Sequence, residues 1–393
     1  MRIGGILLTA IVCALPAMAV AQETRAETIA AEQAEKATHL EPYQPSKIER
    51  LLTGLRLGEQ PAGFYPYLDS VYNGGGFTLG GGYRYYLGDR THLSMAGLYS
   101  VKGYKLVEAT VTSPGHMSGH LDLRSQVVWL DATQVNYYGL GIDSAKDDHT
   151  NFRMQQALVG GDATLRLLRW VRLTGAVSYE DFTLKDPTGG LPPVDDRFTP
   201  ATAPGLGVNP VYLHSTASAA FDWRPADDYA RRGGIYSIAG HHYADRDNTY
   251  SFDRLETELV QHFPILRENW VVSLRGRLQS TLGDSDQVPY FLLPSLGSGS
   301  TLRGYRSWRF RDRHGLLAQG EWRWIPNRMA LDMAFFYDVG MVAPRLDALV
   351  LRSFVQDVGV GIRFHSATRT PLRIDLAKGS EGFKLSFAAN SAF

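Results

Sequence analysis

The residues with the most distinctive chemistry lie in one stretch in the last third of the chain, 296–313. Five arginines and a single acid, Asp312, occupy this stretch, which lies between two segments of alternating apolar and polar residues. A surface loop usually mixes such positive charge with acidic residues. Because guanidinium groups form forked hydrogen bonds with carboxylates, arginines around Gly304-Tyr305 predict a loop that folds back against a polar, acidic surface.

No catalytic or cofactor motif accompanies these arginines. The sequence lacks H-E-x-x-H, G-x-S-x-G, a P-loop and G-x-G-x-x-G. His241 and His242 are adjacent on a predicted strand, so their side chains point to opposite faces and cannot chelate one metal ion. We therefore expect no enzyme activity, no metal site and no cofactor.

The amino-acid composition limits which partners and which fold class the chain could have. Forty basic residues balance forty acidic ones, so the net charge does not indicate a nucleic-acid partner. Aromatic residues make up 11% of the chain and glycine occupies 40 positions. This mixture is typical of strands, tight turns and membrane interfaces rather than of helices.

The N-terminus has the pattern of an export signal. Arg2 precedes an apolar stretch that ends near Pro16, and Ala19-Val20-Ala21 supplies small residues for cleavage. We predict a signal peptide over residues 1–21. The only cysteine, Cys13, falls within it, so the mature chain would have no disulfide.

Residues 22–73 are predicted to form a periplasmic segment that precedes the main domain. Ser46 could cap a short helix in which Ile48, Leu51 and Leu55 share one face. This helix would either tether the domain or pack at its mouth.

Over residues 74–393 the hydrophobic period is two, which predicts strands. Segments of about ten residues recur, the length that a tilted strand needs to cross a bilayer. In 270–280, for example, apolar residues such as Val272 alternate with polar ones such as Arg275. We count sixteen segments and predict an all-β, 16-stranded antiparallel transmembrane β-barrel.

The connections between these segments favour a membrane barrel over a soluble sandwich. Short turns are predicted at Lys102-Gly103, at Asp131-Ala132 and at 266–269, whereas 186–210 and 283–313 are long. Outer-membrane barrels have short periplasmic turns and long extracellular loops. We therefore expect the arginine-rich loop to be extracellular and to fold into the barrel lumen.

Four motifs in the last third of the chain are similar to those of a known family. Leu302-Arg303-Gly304-Tyr305 resembles the (V/L)RG(F/Y) signature in the sixth extracellular loop of the BamA/TamA barrel superfamily, also called the bacterial surface antigen family. Glu321-Trp322-Arg323 with Pro326 resembles its E-x-R-x-x-P strand, and Phe336 to Gly340 matches the F-x-D-x-G element that follows. The closing strands, up to Phe393, are similar as well. The superfamily includes two-partner secretion transporters.

The resemblance implies a role for five residues in an internal latch. Arg303 at the loop tip, with Gly304 and Tyr305 beside it, would bind Glu321 and Asp338 inside the barrel. The alternation agrees with this, because Glu321 and Asp338 both fall on the polar faces of their strands. Alternatively, these residues are ordinary lumen-lining charges that are solvated by water.

The seam of the barrel is a second predicted site. Gly80, Gly81 and Gly82 fall in the predicted first strand, and small residues precede Phe393 in the last one. Glycine weakens a strand, so we predict a labile ladder where the first and last strands meet. The resemblance implies that such a seam opens laterally. The other interpretation is that the glycines accommodate the N-terminal helix.

The resemblance also implies the class of function. Members that assemble or secrete proteins have periplasmic POTRA modules, but 22–72 is short and lacks paired strand signals, so no POTRA module is expected. We expect a protein of the bacterial outer membrane that acts in protein insertion, secretion or lipid handling. Its partners would be outer-membrane lipids, a secreted or outer-membrane protein client and a periplasmic partner. The alternative is a passive pore or structural barrel.

Overall fold

The described part of the chain belongs to one compact unit, 52–393. The computed structural model describes residues 62–67, 69–266, 269–284, 287–326, 331–350, 353–365, 369–388 and 390–393. The predicted signal peptide and the predicted N-terminal helix lie outside the described residues. Within these ranges, no helix has the length and apolar character needed to cross a membrane.

Sixteen strands form a single antiparallel sheet whose order follows the chain, and two short strands pair separately. In chain order the strands are β1 (Gly63–Tyr67), β2 (Thr78–Tyr86), β3 (His92–Ser100), β4 (Lys105–Gly115), β5 (Leu121–Tyr137), β6 (Thr150–Leu168), β7 (Val171–Lys185), β8 (Val211–Asp222), β9 (Gly233–Asp245), β10 (Phe252–Ile265), β11 (Trp270–Leu282), β12 (Ser295–Leu296), β13 (Phe310–Arg311), β14 (His314–Trp324), β15 (Leu331–Ala343), β16 (Val355–Phe364), β17 (Leu372–Gly379) and β18 (Gly382–Ala388). The pair β12–β13 lies within the connection from β11 to β14, which are neighbours in the large sheet.

The two faces of the sheet differ in polarity because apolar and polar residues alternate along each strand. In β15, Met333, Phe335 and Tyr337 have 42%, 51% and 47% of their surface exposed. Asp332 and Asp338, on the other face of the same strand, are fully buried. We call the face that carries Asp338 the inner face and the opposite, apolar face the outer face.

Successive connections lie at alternate ends of the sheet because all neighbouring strands are antiparallel. The loop 283–313 shares its end, which we call the long-loop end, with 138–149 and 186–210. The opposite, short-turn end carries connections such as 169–170 and 266–269. Lys102-Gly103 connects β3 to β4 at the long-loop end, so its predicted place among the periplasmic turns is wrong.

The strand count is confirmed, although two of the predicted assignments are wrong. Residues 121–137 form the single strand β5, without the predicted turn at Asp131-Ala132. The ladder with β6 shifts its register between Ala132 and Val135, and this irregularity interrupts the alternation as a turn would. The sheet also begins at Gly63, so the predicted domain boundary at residue 74 is wrong.

The glycines assigned to the seam belong to β2 and not to the first strand. Gly80, Gly81 and Gly82 pair with β1 on one side and with β3 on the other. A Cβ on Gly82 would lie 2.4 Å from ring carbons of Tyr65, so the missing side chain makes room for this aromatic ring of β1. The group packed on Gly82 is therefore a neighbouring strand.

The two ends of the sheet are unequal. Among the described residues, no ladder joins β1 to β18. β1 has 5 residues and contains Pro66, which lacks a backbone N–H and is typical of edge strands. Phe393, the second predicted seam element, lies in the terminal segment 390–393, beyond the end of β18.

Aromatic packing fills the inner side of the sheet at the long-loop end. Tyr290 of the loop 283–313 lies 4.9 Å from the ring of Tyr137 and 5.0 Å from that of Phe152, measured between ring centroids. The adjacent Phe291 packs against Phe182 at 5.5 Å. These edge-to-face and tilted contacts bury the beginning of the loop against the ends of several strands.

Substitution of Gly82 tests the packing of β1. In Gly82→Ala the new methyl group overlaps the Tyr65 ring, so we expect β1 to detach and the free energy of unfolding to fall by about 1–3 kcal/mol. Gly81→Ala is the matched control, because the nearest atom to its Cβ is the Tyr65 carbonyl oxygen at 4.0 Å. Urea unfolding in lipid and proteolysis of residues 62–77 measure both effects. Equal behaviour of the two variants would contradict this packing.

Candidate functional site

Arg303 lies at the centre of a buried ion cluster on the inner face. Its Nε and Nη2 donate to the two carboxylate oxygens of Asp338, each at 2.7 Å. Its Nη1 donates to Oε2 of Glu321 at 2.6 Å. Asp338 lies on β15 and Glu321 on the neighbouring β14, so the structure brings the three predicted residues together.

The surroundings of Arg303 exclude water and favour its charged form. The side chains of Arg303 and Asp338 are fully buried, and the guanidinium carbon lies 3.5 Å from the ring centroid of Phe336. Burial alone would lower the pKa of Arg303, but its hydrogen bonds to Asp338 and the charges of Asp338 and Glu321 raise the pKa above the ordinary arginine value. Arg303 therefore remains protonated while the cluster is closed.

Gly304 and Tyr305 fit the loop against the last strands. A Cβ on Gly304 would lie 2.6 Å from Cβ of Asp357 and 2.8 Å from the amide nitrogen of Gly379, so only glycine passes here without displacing a neighbour. The Tyr305 hydroxyl donates to the carbonyl of Gln356 at 3.1 Å and lies 3.0 Å from Oγ of Ser380. The loop tip therefore lies between β16 and the β17–β18 turn.

The ion cluster extends beyond the residues that the sequence analysis singled out. Arg363 donates to Glu321 at 2.8 Å and to Asp375 at 2.6 Å. Arg373 lies 3.5 Å from Asp375 and donates to the carbonyl of Gly299 in the loop at 2.7 Å. Carboxylates and guanidinium groups thus alternate from β14 to β17, and this alternation offsets the cost of burying each charge.

The sequence pattern could have identified these additional cluster residues only in part. Arg363 and Asp375 occupy inner-face positions of β16 and β17, so the alternation placed them in the barrel without showing their partners. Lys384 of β18 donates to the Tyr305 carbonyl, and Asp357 lies opposite Asp338 in the β15–β16 register. The first contact depends on where the loop comes to rest and the second on the register of β15 and β16, and no local pattern encodes either.

The loop 283–313 contacts both edges of the sheet. On the β1 side, Trp308 stacks on Tyr72 with ring centroids 5.1 Å apart, and its Nε1 donates to the carbonyl of Asn73 at 2.8 Å. On the other side, Arg309 forms an ion pair with Glu381, in the β17–β18 turn, with Nε 2.6 Å from Oε1. The loop therefore bridges the first and last parts of the sheet.

The cluster has the properties of a mechanical contact. Among the residues that the structure describes, no group of three or more His, Cys, Asp or Glu could hold a metal ion. The cluster acids Glu321, Asp338 and Asp375 are paired with arginines, which do not release protons near neutral pH. The arrangement can hold the loop, and breaking the ion pairs would release it.

These features define the class of the protein. Antiparallel strands with an apolar outer face, a charged inner face and long loops at one end are the architecture of outer-membrane barrels. An Omp85 superfamily domain model matches residues 87–388, which is more than half of the chain. The chain belongs to the Omp85 superfamily and is a protein of the bacterial outer membrane.

Solved structures are similar to the chain over most of its length. A BamA from Haemophilus ducreyi that lacks POTRA domains 1–3 has a TM-score of 0.62 at 14% identity, covering 84% of this chain and 69% of that one. CdiB from Escherichia coli has a TM-score of 0.57 at 14% identity, covering 85% and 63%. CdiB from Acinetobacter baumannii has 0.53 at 12%, covering 81% and 57%. The chain thus spans less than two thirds of either CdiB. No curated protein sequence matches it.

Removal of the Arg303 side chain tests the ion cluster. Arg303→Ala leaves Asp338 and Glu321 buried without their main partner, so we expect the free energy of unfolding to fall by about 3–5 kcal/mol. The free energy of unfolding of Arg303→Lys should lie between those of the wild type and Arg303→Ala, because an ammonium group cannot form the forked pair of hydrogen bonds. Denaturant titration in lipid gives these values, and proteolysis reports on release of the loop.

Arg306→Ala is the control for this experiment, because Arg306 lies on the same loop but is exposed. It should unfold as the wild type does. If Arg303→Ala were no less stable than Arg306→Ala, the cluster would not hold the loop.

Proposed function

We propose that the protein is a gated barrel that inserts or translocates a polypeptide client at the outer membrane. The loop 283–313 acts as an internal clasp across the seam between β1 and β18, and the latch (Arg303 with Glu321 and Asp338) keeps the clasp closed. The observation that carries this proposal is that one buried loop contacts both edges of the sheet. Release of the latch would let the edges separate.

The unequal edges support a seam whose contacts with the clasp break first on the β1 side and then at the last hairpin. The clasp holds this side through one aromatic stack and one neutral hydrogen bond, at Tyr72 and Asn73. It holds the last hairpin through an ion pair at Glu381 and hydrogen bonds to Tyr305. Charge-assisted contacts are roughly twice as strong as neutral ones. Pro66 also leaves β1 with fewer donors for a ladder.

The family supports the choice of a polypeptide client. The sequence motifs around the latch resemble those of insertion and secretion barrels, and CdiB and BamA have similar folds. The described residues form the sheet and its connections, so we propose that a periplasmic partner delivers the client. Outer-membrane lipids contact the apolar outer face, and the proposal assigns no catalytic step to the protein.

Conductance distinguishes this gated barrel from a passive pore. Because the loop and the aromatic residues around Tyr290 occupy the inner side, we expect low, intermittent currents from the wild type in planar bilayers. Arg303→Ala should increase the open probability by about tenfold or more, while Arg306→Ala should not. Large steady currents that Arg303→Ala leaves unchanged would establish the passive pore instead.

A disulfide between the clasp and the last strand tests whether this contact must break. The Cβ of Ser386 in β18 lies 3.9 Å from the position of a Cβ on Gly299, which suits a disulfide. In Gly299→Cys/Ser386→Cys, oxidation should abolish client insertion into proteoliposomes, and a reductant should restore it. The two single-cysteine variants are controls for the substitutions themselves. Full activity of the oxidised double variant would show that the clasp and β18 stay together during function.

A further inference from the structure

The connection between β8 and β9, which we call the strap (223–232), lies at the short-turn end and is longer than its neighbours. The preceding turn at that end is 169–170, and the following one is 266–269. Ordinary short turns at this end would expose their side chains. Instead, Tyr229 and Ala230 in the strap are both 2% exposed. The strap therefore packs against other parts of the protein.

Asp228 of the strap binds two distant backbone amides. Its Oδ2 accepts a hydrogen bond from the amide of Thr370 at 2.6 Å, and its Oδ1 accepts one from the amide of Ser391 at 2.7 Å. Thr370 lies two residues before the start of β17, and Ser391 follows β18. One carboxylate thus holds both strands of the last hairpin at its open end.

Tyr229 and Ala230 bind the strap to residues of β14 and β15 and to His365. The Tyr229 hydroxyl donates to Asp332 of β15, and its ring stacks on His365 with centroids 4.3 Å apart and an interplanar angle of 8°. Arg323 of β14 donates to the Ala230 carbonyl and lies over the Tyr229 ring, 5.3 Å from its centroid. The strap starts midway along the sheet order and reaches strands in the last part of it.

The base of the strap is held in place within its own hairpin. Arg224 donates through Nε to Oδ1 of Asp222 at 3.1 Å and through Nη2 to Oδ2 at 3.0 Å. Its Nη1 also donates to the carbonyl of Asp227 at 2.9 Å. This forked pair fixes the first residues of the strap, and the bond to the Asp227 carbonyl holds the residue next to Asp228.

We infer that the strap is a second fastener of the last hairpin, at the end opposite the clasp. The clasp holds the β17–β18 turn at Ser380 and Glu381, and the strap holds the open end at Thr370 and Ser391. Separation of β18 from the seam then requires that both fasteners release. This inference rests on the proposed function for its gating role, but the fastening itself is independent of any client.

Hydrogen exchange of two amides tests the fastening in the full chain in lipid nanodiscs. Asp228→Ala removes both acceptors, so the amides of Thr370 and Ser391 should exchange about tenfold faster or more. Asp227→Ala is the matched control, because the side chain of this neighbour is 87% exposed and lies 3.9 Å from Arg224. Equal exchange in the two variants would overturn the inference.

Two milder variants keep the test valid if Asp228→Ala fails to fold. Asp228→Asn retains one acceptor oxygen, so one of the two amides should remain protected while the other exchanges faster. Ser391→Pro removes only the terminal amide, and Thr370 should stay protected in it. Protection of both amides in Asp228→Asn, or no effect of Ser391→Pro on the terminal segment, would contradict the assigned contacts.

Planar-bilayer currents in potassium chloride test the gating role. Asp228→Ala should increase the open probability about tenfold relative to Asp227→Ala, and combination with Arg303→Ala should increase it further. Faster exchange of both amides without any change in current would mean that the strap fastens the hairpin but does not gate the barrel. The oxidised Gly299→Cys/Ser386→Cys variant decides the proposed function separately, because that disulfide leaves the strap intact.

Discussion

The structure depends on one buried guanidinium group that binds two buried carboxylates. Arg303 satisfies both oxygens of Asp338 and one of Glu321, and Phe336 covers its planar face. Moving such charges out of water costs several kcal/mol for each ion, and only short, well-directed hydrogen bonds offset that cost. The arrangement that satisfies these charges places Arg303 against β14 and β15.

The position of the loop follows from this arrangement. With Arg303 in place, Gly304 passes between Asp357 and Gly379, and Tyr305 reaches Ser380. Of the other loop arginines, Arg309 pairs with Glu381 near the edge of the sheet, whereas Arg311 and Arg313 donate to carbonyls within the loop. The loop thus connects a contact in the middle of the inner face to both edges of the sheet.

The last hairpin is held by side chains from two loops at opposite ends of the sheet. Its turn contacts the clasp, and its open end contacts Asp228 of the strap. β17 and β18 have 8 and 7 residues, and β18 pairs only with β17 among the described strands. A short strand with one neighbour depends on such contacts more than a central strand does, because it has half the ladder hydrogen bonds.

The sequence by itself determined the strand period and the residues of the latch. The predicted number of strands agrees with the structure because the missed β1 offsets the division of β5 into two. Alternation decides which face each side chain takes, so Glu321 and Asp338 were assignable to the inner face from local pattern, and the family motifs paired them with Arg303. Local pattern missed β1 and divided β5 in two, because Pro66 shortens the alternation in β1 and a register shift interrupts the alternation in β5. Only the tertiary structure decided that Gly82 packs on Tyr65, that Arg363 and Asp375 extend the cluster, and that Asp228 holds the last hairpin. The contacts of Arg363 with Glu321 and of Asp228 with Ser391 join residues 42 and 163 positions apart, so the tertiary fold rather than any local spacing brings them within hydrogen-bonding distance.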